Sequence, residues 1–285
     1  PRPAGRGRLS PPPGGPLRHP HRGRECAILP HDASPDSRNA IFLASEQTAS
    51  TCPFGAALQV YWDMRYKLFD KFDQAQVDAA GLYTMIPEAY ALDMARRASG
   101  SRSLDICAGI GSMSIALART GQQLTAVEID PDRVSMARHN AELYGVSDQI
   151  DFLAGDITNK TTLQSLPGDI HSVFLDPPWG TAVGEYIRRP IIRLQDLQLA
   201  GMDLRELIRS LDVQEVIMRL PQNFDIGIMR QAQGEKLAYV TPQGYLHWYF
   251  IRMPKEQFIG IPDRSPPALS MQQARQGFSA HLVKE

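Results

Sequence analysis

Apolar positions along this chain come in short runs separated by stretches of helical period. Residues 103–114, SLDICAGIGSMS, join an apolar run, a glycine turn and a helix start. The pattern predicts a helix over 112–119 and a second strand over 124–129. Asp130 and Pro131 then cap a helix over 132–144, which Gly145 closes. Short buried strands are expected over 150–153 and 171–175, a fifth over 215–220, and a closing hairpin of 237–241 with 246–252 around Pro242-Gln-Gly244. Between them, a loop and helix are expected over 184–210 and a short helix over 225–231. Strands that alternate with helices predict an α/β, Rossmann-like fold. It is a doubly wound, mostly parallel seven-stranded sheet with its sites at the C-terminal ends of the strands.

Ahead of the sheet the pattern changes. Residues 61–72, YWDMRYKLFDKF, set aromatics and cations at helical spacing. Tyr61, Arg65 and Leu68 would share one side, with Trp62, Tyr66 and Phe69 beside them. Such a helix packs its rings on the domain; it can also be a lid that turns Arg65, Lys67 and Lys71 toward phosphates. Residues 81–88, GLYTMIPE, lead into a further helix with Pro87 in its first turn. Residues 1–24 are mostly Pro, Gly and Arg without an acid, too poor in apolar surface to fold. Four segments are expected: a disordered tail over 1–50, a helical lid extension over 51–86, the α/β domain over 87–253 and a C-terminal tail over 254–285. The last is Pro-rich and then helical over 269–283. The first methionine is Met64, so the natural start is expected to differ from Pro1.

Composition narrows the function classes. The 285 residues carry a net charge of −1, so a nucleic-acid partner would be held by local patches, not by bulk phosphate attraction. Cys26, Cys52 and Cys107 lie far apart with no CxxC spacing, which argues against a disulfide framework or a zinc site. They fit a reducing compartment, expected to be the cytoplasm, or the nucleus in a eukaryotic source. No apolar run approaches a membrane span and none reads as a signal-peptide core. Neither a membrane nor a metal partner is expected, and a monomer is.

The stretch richest in chemistry is LDPPWG, residues 175–180, which leaves the end of the fourth strand. Two prolines stiffen the loop and leave their carbonyls free. Asp176 and the Pro177 carbonyl can accept the two hydrogens of an NH2 group, and Trp179 can stack on the ring that bears it. The plainer reading is a proline turn with Trp179 in the core. Gly109 and Gly111 let a ligand approach the backbone. Glu128 ends the second strand, where nucleoside-binding folds place an acid for the ribose hydroxyls. Asp156 can accept from an adenine amino group or close an Asx turn before Ile157. Ser114 replaces the third glycine of the dinucleotide fingerprint, and neither a P-loop nor a GxSxG elbow is present.

The Asp-x-x-x-Gly-x-Gly turn, the acid ending strand two, Gly155-Asp156 and the Asp-Pro-Pro-Trp turn together resemble class I S-adenosylmethionine-dependent methyltransferases that modify exocyclic amines. YWDMRYKLFDKFD, GLYTMIPE, LDICAGIGSMSIALA, VEIDPDRVSMARHNAELYGV, FLAGD, DPPWG and VIMRLPQNFDI are similar, in order, to the blocks of the RNA cap guanine-N2 methyltransferase family, the trimethylguanosine synthases. The resemblance covers about residues 61–253. It implies S-adenosyl-L-methionine as cofactor, with Asp105, Gly109 and Gly111 at its methionine end, Glu128 at the ribose and Asp156 at the adenine. It implies Asp176, Pro177 and Trp179 as the catalytic turn, with Trp179 stacked on guanine. Tyr186, Gln222, Asn223 and Lys67 would join Trp179 on the side of the substrate, an RNA or guanine nucleotide. The chain departs from the family at Asp176, where a serine is typical, at Ile86, where a threonine is usual, and at Gln222, where an arginine grips cap phosphates. Asp176 also keeps open an amino-methyltransferase of adenine N6 or cytosine N4, in rRNA, DNA or a small nucleotide. A non-catalytic nucleotide- or RNA-binding module is the other alternative.

Overall fold

The computed structural model describes residues 50–180, 185–240, 246–263 and 278–283. The tail expected over 1–50, apart from Ser50, the turn at 242–244 and most of the helix expected over 269–283 lie outside them. Eight strands form the main sheet: β1 (Arg102–Ile106), β2 (Gln123–Glu128), β3 (Ile150–Ala154), β4 (Ser172–Leu175), β5 (Glu215–Pro221), β6 (Glu235–Val240), β7 (Leu246–Pro254) and β8 (Ser279–His281). Their order is β8-β6-β7-β5-β4-β1-β2-β3. Strands β3, β2, β1, β4 and β5 are parallel, β7 runs antiparallel to β5 and β6, and β8 runs parallel to β6.

The sequence pattern holds well where it is local. Every residue of β4, Ser-Val-Phe-Leu, is buried, as a central strand requires. Helix Pro131–Leu143 starts on Asp130, whose side chain accepts from the Asp132 N–H at 2.9 Å, and Gly145 follows it at φ 68°. The sheet exceeds the expected seven strands by β8, and residues 279–281 are extended, not helical. His281 explains the preference: its Nε2 lies 2.9 Å from Asp93 Oδ2, and its ring stands edge-on to Tyr239 of β6 at 5.0 Å. Between residues 225 and 231 the chain makes a 3-10 turn, Ile226–Met229.

The aromatic segment is broken where a continuous helix was expected. Helices Gln59–Asp63 and Arg65–Leu68 are followed by extended Phe69 and a 3-10 turn, Phe72–Gln74. Trp62, Leu68, Phe69 and Phe72 are all buried, while Tyr66 stays 47% exposed. These rings belong to the same core cluster as Leu124, Phe174 and Phe250 of the sheet. The following stretch is fastened to the glycine turn. Asn140 accepts from the Gln76 N–H at 2.8 Å and donates to the carbonyls of Gln76 and Ile110, each at 3.0 Å. Asp78 caps helix Ala79–Thr84 through the Gly81 N–H and pairs with Arg133 at 3.0 Å. No helix among the described residues is long and apolar enough to cross a membrane.

Candidate active site

Four parallel strands end side by side, and each delivers a carboxylate: Asp105 on β1, Glu128 on β2, Asp156 after β3 and Asp176 after β4. Asp105 is 1% exposed and accepts from the Ser114 hydroxyl. Burial pushes its carboxyl up to about 7; the Ser114 bond opposes this, and the charges of Asp176 and Glu128 add to it. Cys107, between the strand and the glycines, adopts φ 64°, and burial together with Glu128 drives its thiol well above the ordinary range. Glu128 takes one backbone donor on each oxygen, Gly109 N–H at 2.8 Å and Asp130 N–H at 3.1 Å. Each oxygen therefore keeps a lone pair for a ligand hydroxyl.

The glycines fit this role differently. A Cβ on Gly109, at φ 56°, would meet nothing within 4 Å, so the backbone there borders open space. A Cβ on Gly111, at φ 92°, would sit 3.2 Å from the Ala137 Cβ, so this glycine serves close helix packing. Asp156 Oδ1 closes an Asx turn, accepting from the Thr158 N–H and hydroxyl at 2.8 and 2.7 Å. Its Oδ2 is not used in that turn. Ile129 had no role in the sequence reading. It is 66% exposed directly after Glu128 and offers an apolar face for a base.

At the other end of the row stands the Asp-Pro-Pro-Trp turn. Asp176, expected as an open acceptor, is paired. Arg219 of β5 donates Nε to Oδ1 at 3.0 Å, and its Nη2 lies 2.5 Å from Oδ2. The Asp176 side chain is still 15% exposed. Burial raises its pKa against the opposing charge of Arg219. The carbonyl of Pro177 accepts no hydrogen bond from any described residue. Trp179 is half-buried between both core clusters, edge-on to Tyr186 at 5.1 Å, with the Arg219 guanidinium 4.8 Å from its ring centroid. Arg219 was missed in the sequence, although a lone charge inside the apolar run of β5 was the signal.

The remaining substrate-side candidates divide. The Asn223 amide donates to the carbonyls of Tyr186 and Arg189, both at 2.8 Å, so it fixes the short helix Glu185–Arg188 that carries Tyr186. Gln222 is partly exposed at the end of β5. Lys67 is exposed on the extension. Lys71, read as a phosphate contact, instead donates to the Leu143 carbonyl at 2.6 Å. Arg65 lies over the Trp62 and Tyr66 rings at 5.0 and 4.6 Å.

A central parallel sheet, a glycine turn after β1 and carboxylates at the ends of β1 to β4 define a class I S-adenosylmethionine-dependent methyltransferase. A crystal structure of a methyltransferase from Porphyromonas gingivalis W83 shares the fold, with a TM-score of 0.54 and 16% identity over 81% of this chain and 60% of that one. Residues 100–249 match the sequence model of the RNA cap guanine-N2 methyltransferase family, and the chain belongs to that family. The trimethylguanosine synthase of Schizosaccharomyces pombe is 30% identical over 181 residues, 61% of this chain and 74% of the relative. The 23S rRNA (uracil(1939)-C(5))-methyltransferase RlmD of Shewanella sp. (strain MR-4) is 38% identical over 89 residues, 31% of this chain and 20% of that protein. The chain is an S-adenosylmethionine-dependent RNA methyltransferase.

The row of carboxylates fits this cofactor, whose ammonium and sulfonium are cations, and the open side of Gly109 leaves it room. Asp105 and Gly109 are the residues that would hold its methionine end, Glu128 its ribose, and Asp156 with Ile129 its base, while Gly111 closes the turn on its helix. Replacing Glu128 with Ala should weaken S-adenosylhomocysteine binding by about 1–3 kcal/mol in calorimetry, the loss of charge-assisted hydrogen bonds to the ribose. Unchanged affinity would remove Glu128 from the cofactor site.

Proposed function

We propose that this chain methylates the exocyclic N2 amine of guanine in RNA, in a cap-like context. The observation that carries this reading is the Asp-Pro-Pro-Trp turn, which sets a partly exposed acid, a carbonyl with no hydrogen bond from a described residue and an indole beside the carboxylate row. The matched family and the trimethylguanosine synthase relative support it. S-adenosylmethionine, when bound, supplies an electrophilic methyl group. An aromatic amine is a poor nucleophile because its lone pair is delocalised into the ring. Asp176 and the Pro177 carbonyl, by taking its two hydrogens, favour a pyramidal nitrogen with a directed lone pair. Trp179 holds the base in place, so orientation contributes much of the rate. The methylated nitrogen is strongly acidic and loses its proton to water or to Asp176 without a strong base.

The likeness to a uracil-C5 methyltransferase invites a carbon target. A pyrimidine C5 needs prior addition of a nucleophile to the ring, commonly a thiolate. Of the described cysteines, Cys52 is buried and burial with the neighbouring carboxylates raises the Cys107 thiol, which weighs against a thiolate at either. The test is incubation with labelled cofactor and total RNA, cap analogues or free guanine nucleotides, followed by nucleoside mass spectrometry. N2-methylguanine is the expected product. N6-methyladenine, N4-methylcytosine or C5-methyluracil as sole product overturns the reading. In the same assay Trp179→Ala should raise KM by the equivalent of about 1–3 kcal/mol of base stacking. A wild-type KM would deny the indole that role.

A further inference from the structure

Arg219 stands inside an apolar strand and is 7% exposed. A buried charge destabilises a fold unless it is paired, and even a good pair is commonly no better than apolar packing of similar size. Stability alone therefore gives no reason for an arginine at this position in β5. Its contacts give one. Nε and Nη2 hold both oxygens of Asp176, and Nη2 also donates to the Thr84 carbonyl of the extension at 3.1 Å. The guanidinium plane lies 4.8 Å from the Trp179 centroid and 5.5 Å from that of Trp248. The acid, the stacking ring and the extension thus meet on one side chain.

We propose that Arg219 is the positioning residue of the methyl-accepting side: it holds Asp176 as an aimed carboxylate and fixes Trp179 beside it, so that the two act as one recognition unit for an exocyclic amine. This rests on the reading that Asp176 receives a hydrogen of the target amine. The charge argument points the same way. Asp176 is faced by Arg219 from β5, by Asp105 from β1 and by the thiol of Cys107 after β1. Asp105 and Asp176 repel each other, and such a pair holds a proton more readily than either acid alone. The guanidinium lies on Asp176 and opposes the effect of its burial, so it favours the ionised form of the acid at the amine. An ionised Asp176 accepts hydrogens; a protonated one would present a donor to an amine that is itself a donor.

The experiment uses the full chain and a 7-methylguanosine-capped RNA, with kcat and KM measured from pH 5 to pH 9. Arg219→Met should move the acidic limb of the kcat profile upward by about 1–3 pH units, the effect of a neighbouring guanidinium on a carboxylate. The rate should fall about tenfold or more at pH 6 and largely return at pH 9. Binding of S-adenosylhomocysteine should change less than about threefold. Arg219→Lys keeps the charge without the planar fork, so it should restore the limb and leave KM raised. An equal loss at every pH, or a limb that stays in place, overturns the proposal. Should Arg219→Met fail to fold, the neutral pair Asp176→Asn with Arg219→Gln keeps the hydrogen bonding, and the acidic limb should vanish from its profile. A limb that persists there belongs to another group and overturns the proposal equally. Methylated adenine or cytosine with the limb still displaced would remove the guanine reading and keep Arg219. Methylated guanine with an unmoved limb would do the reverse.

Discussion

Replacing Asp105 with Asn is expected to stabilise the free chain and, in the same molecule, to weaken its hold on the cofactor. Asp105 is buried at the end of β1, and desolvation pushes its carboxyl from the model-peptide range up to about 7. Between pH 3.8 and about 7 the folded chain keeps a proton that the unfolded chain has released. Stability therefore falls as pH rises through that window, and the whole penalty is present above it. A displacement of this size corresponds to about 4 kcal/mol at most. Asparagine keeps the shape without the charge. Thermal melts should show Asp105→Asn gaining less than half as much at pH 5 as at pH 8. Calorimetry should show S-adenosylhomocysteine binding weakened by about 1.5–3 kcal/mol, the worth of a hydrogen bond to a charged group. A melting temperature that is unchanged or lower at pH 8 would show that Asp105 is not held against its charge.

Trp62→Ala should be the most destabilising single change in the extension. The side chain is fully buried, its ring is edge-on to Phe72 at 5.6 Å, and it shares a core cluster with the sheet. Truncating such an aromatic costs about 3–5 kcal/mol, because the lost burial is joined by an unfilled cavity. The effect should reach the site. The stretch that follows is clamped by Asn140 to Ile110 of the glycine turn, and Thr84 is bonded to Arg219. A loosened extension should therefore raise protease sensitivity near residues 75–81 and lower S-adenosylhomocysteine affinity together. A shift in denaturant midpoint worth less than about 1 kcal/mol would mean that the ring is not a keystone of that packing.

What could be read from the sequence was what local pattern carries. The glycine turn, the capped helix Pro131–Leu143 and the acid at the end of β2 follow from residues within a few positions of one another. The Asp-Pro-Pro-Trp turn was legible for the same reason. Its partner was not: Arg219 lies 43 residues from Asp176, and no spacing rule joins a strand charge to a loop acid that far away. Asn140 posed the same difficulty, since it reads as one more polar position on a helix until Gln76 is folded against it 64 residues away. The aromatic segment misled because helical spacing was present, yet the chain is extended at Phe69 and resumes as a 3-10 turn at Phe72, with both rings buried in the core shared with the sheet. Of the two readings of Asp156, the Asx turn is present on one oxygen, and the second oxygen lies outside it.

The three-residue strand β8 bears on how the molecule keeps to itself in a crowded solution. Without it, β6 would end the sheet with a row of unspent backbone donors and acceptors along Leu237–Tyr239, the kind of margin that recruits strands from other molecules. Ser279–His281 occupies that row from within the chain, and the His281–Asp93 contact pins it there. The opposite margin, β3, carries exposed Asp151, a charge that discourages the same recruitment. One border of the sheet is thus reduced to a three-residue strand and the other carries a charge. An edge of three residues offers an incoming strand too few partners to hold it.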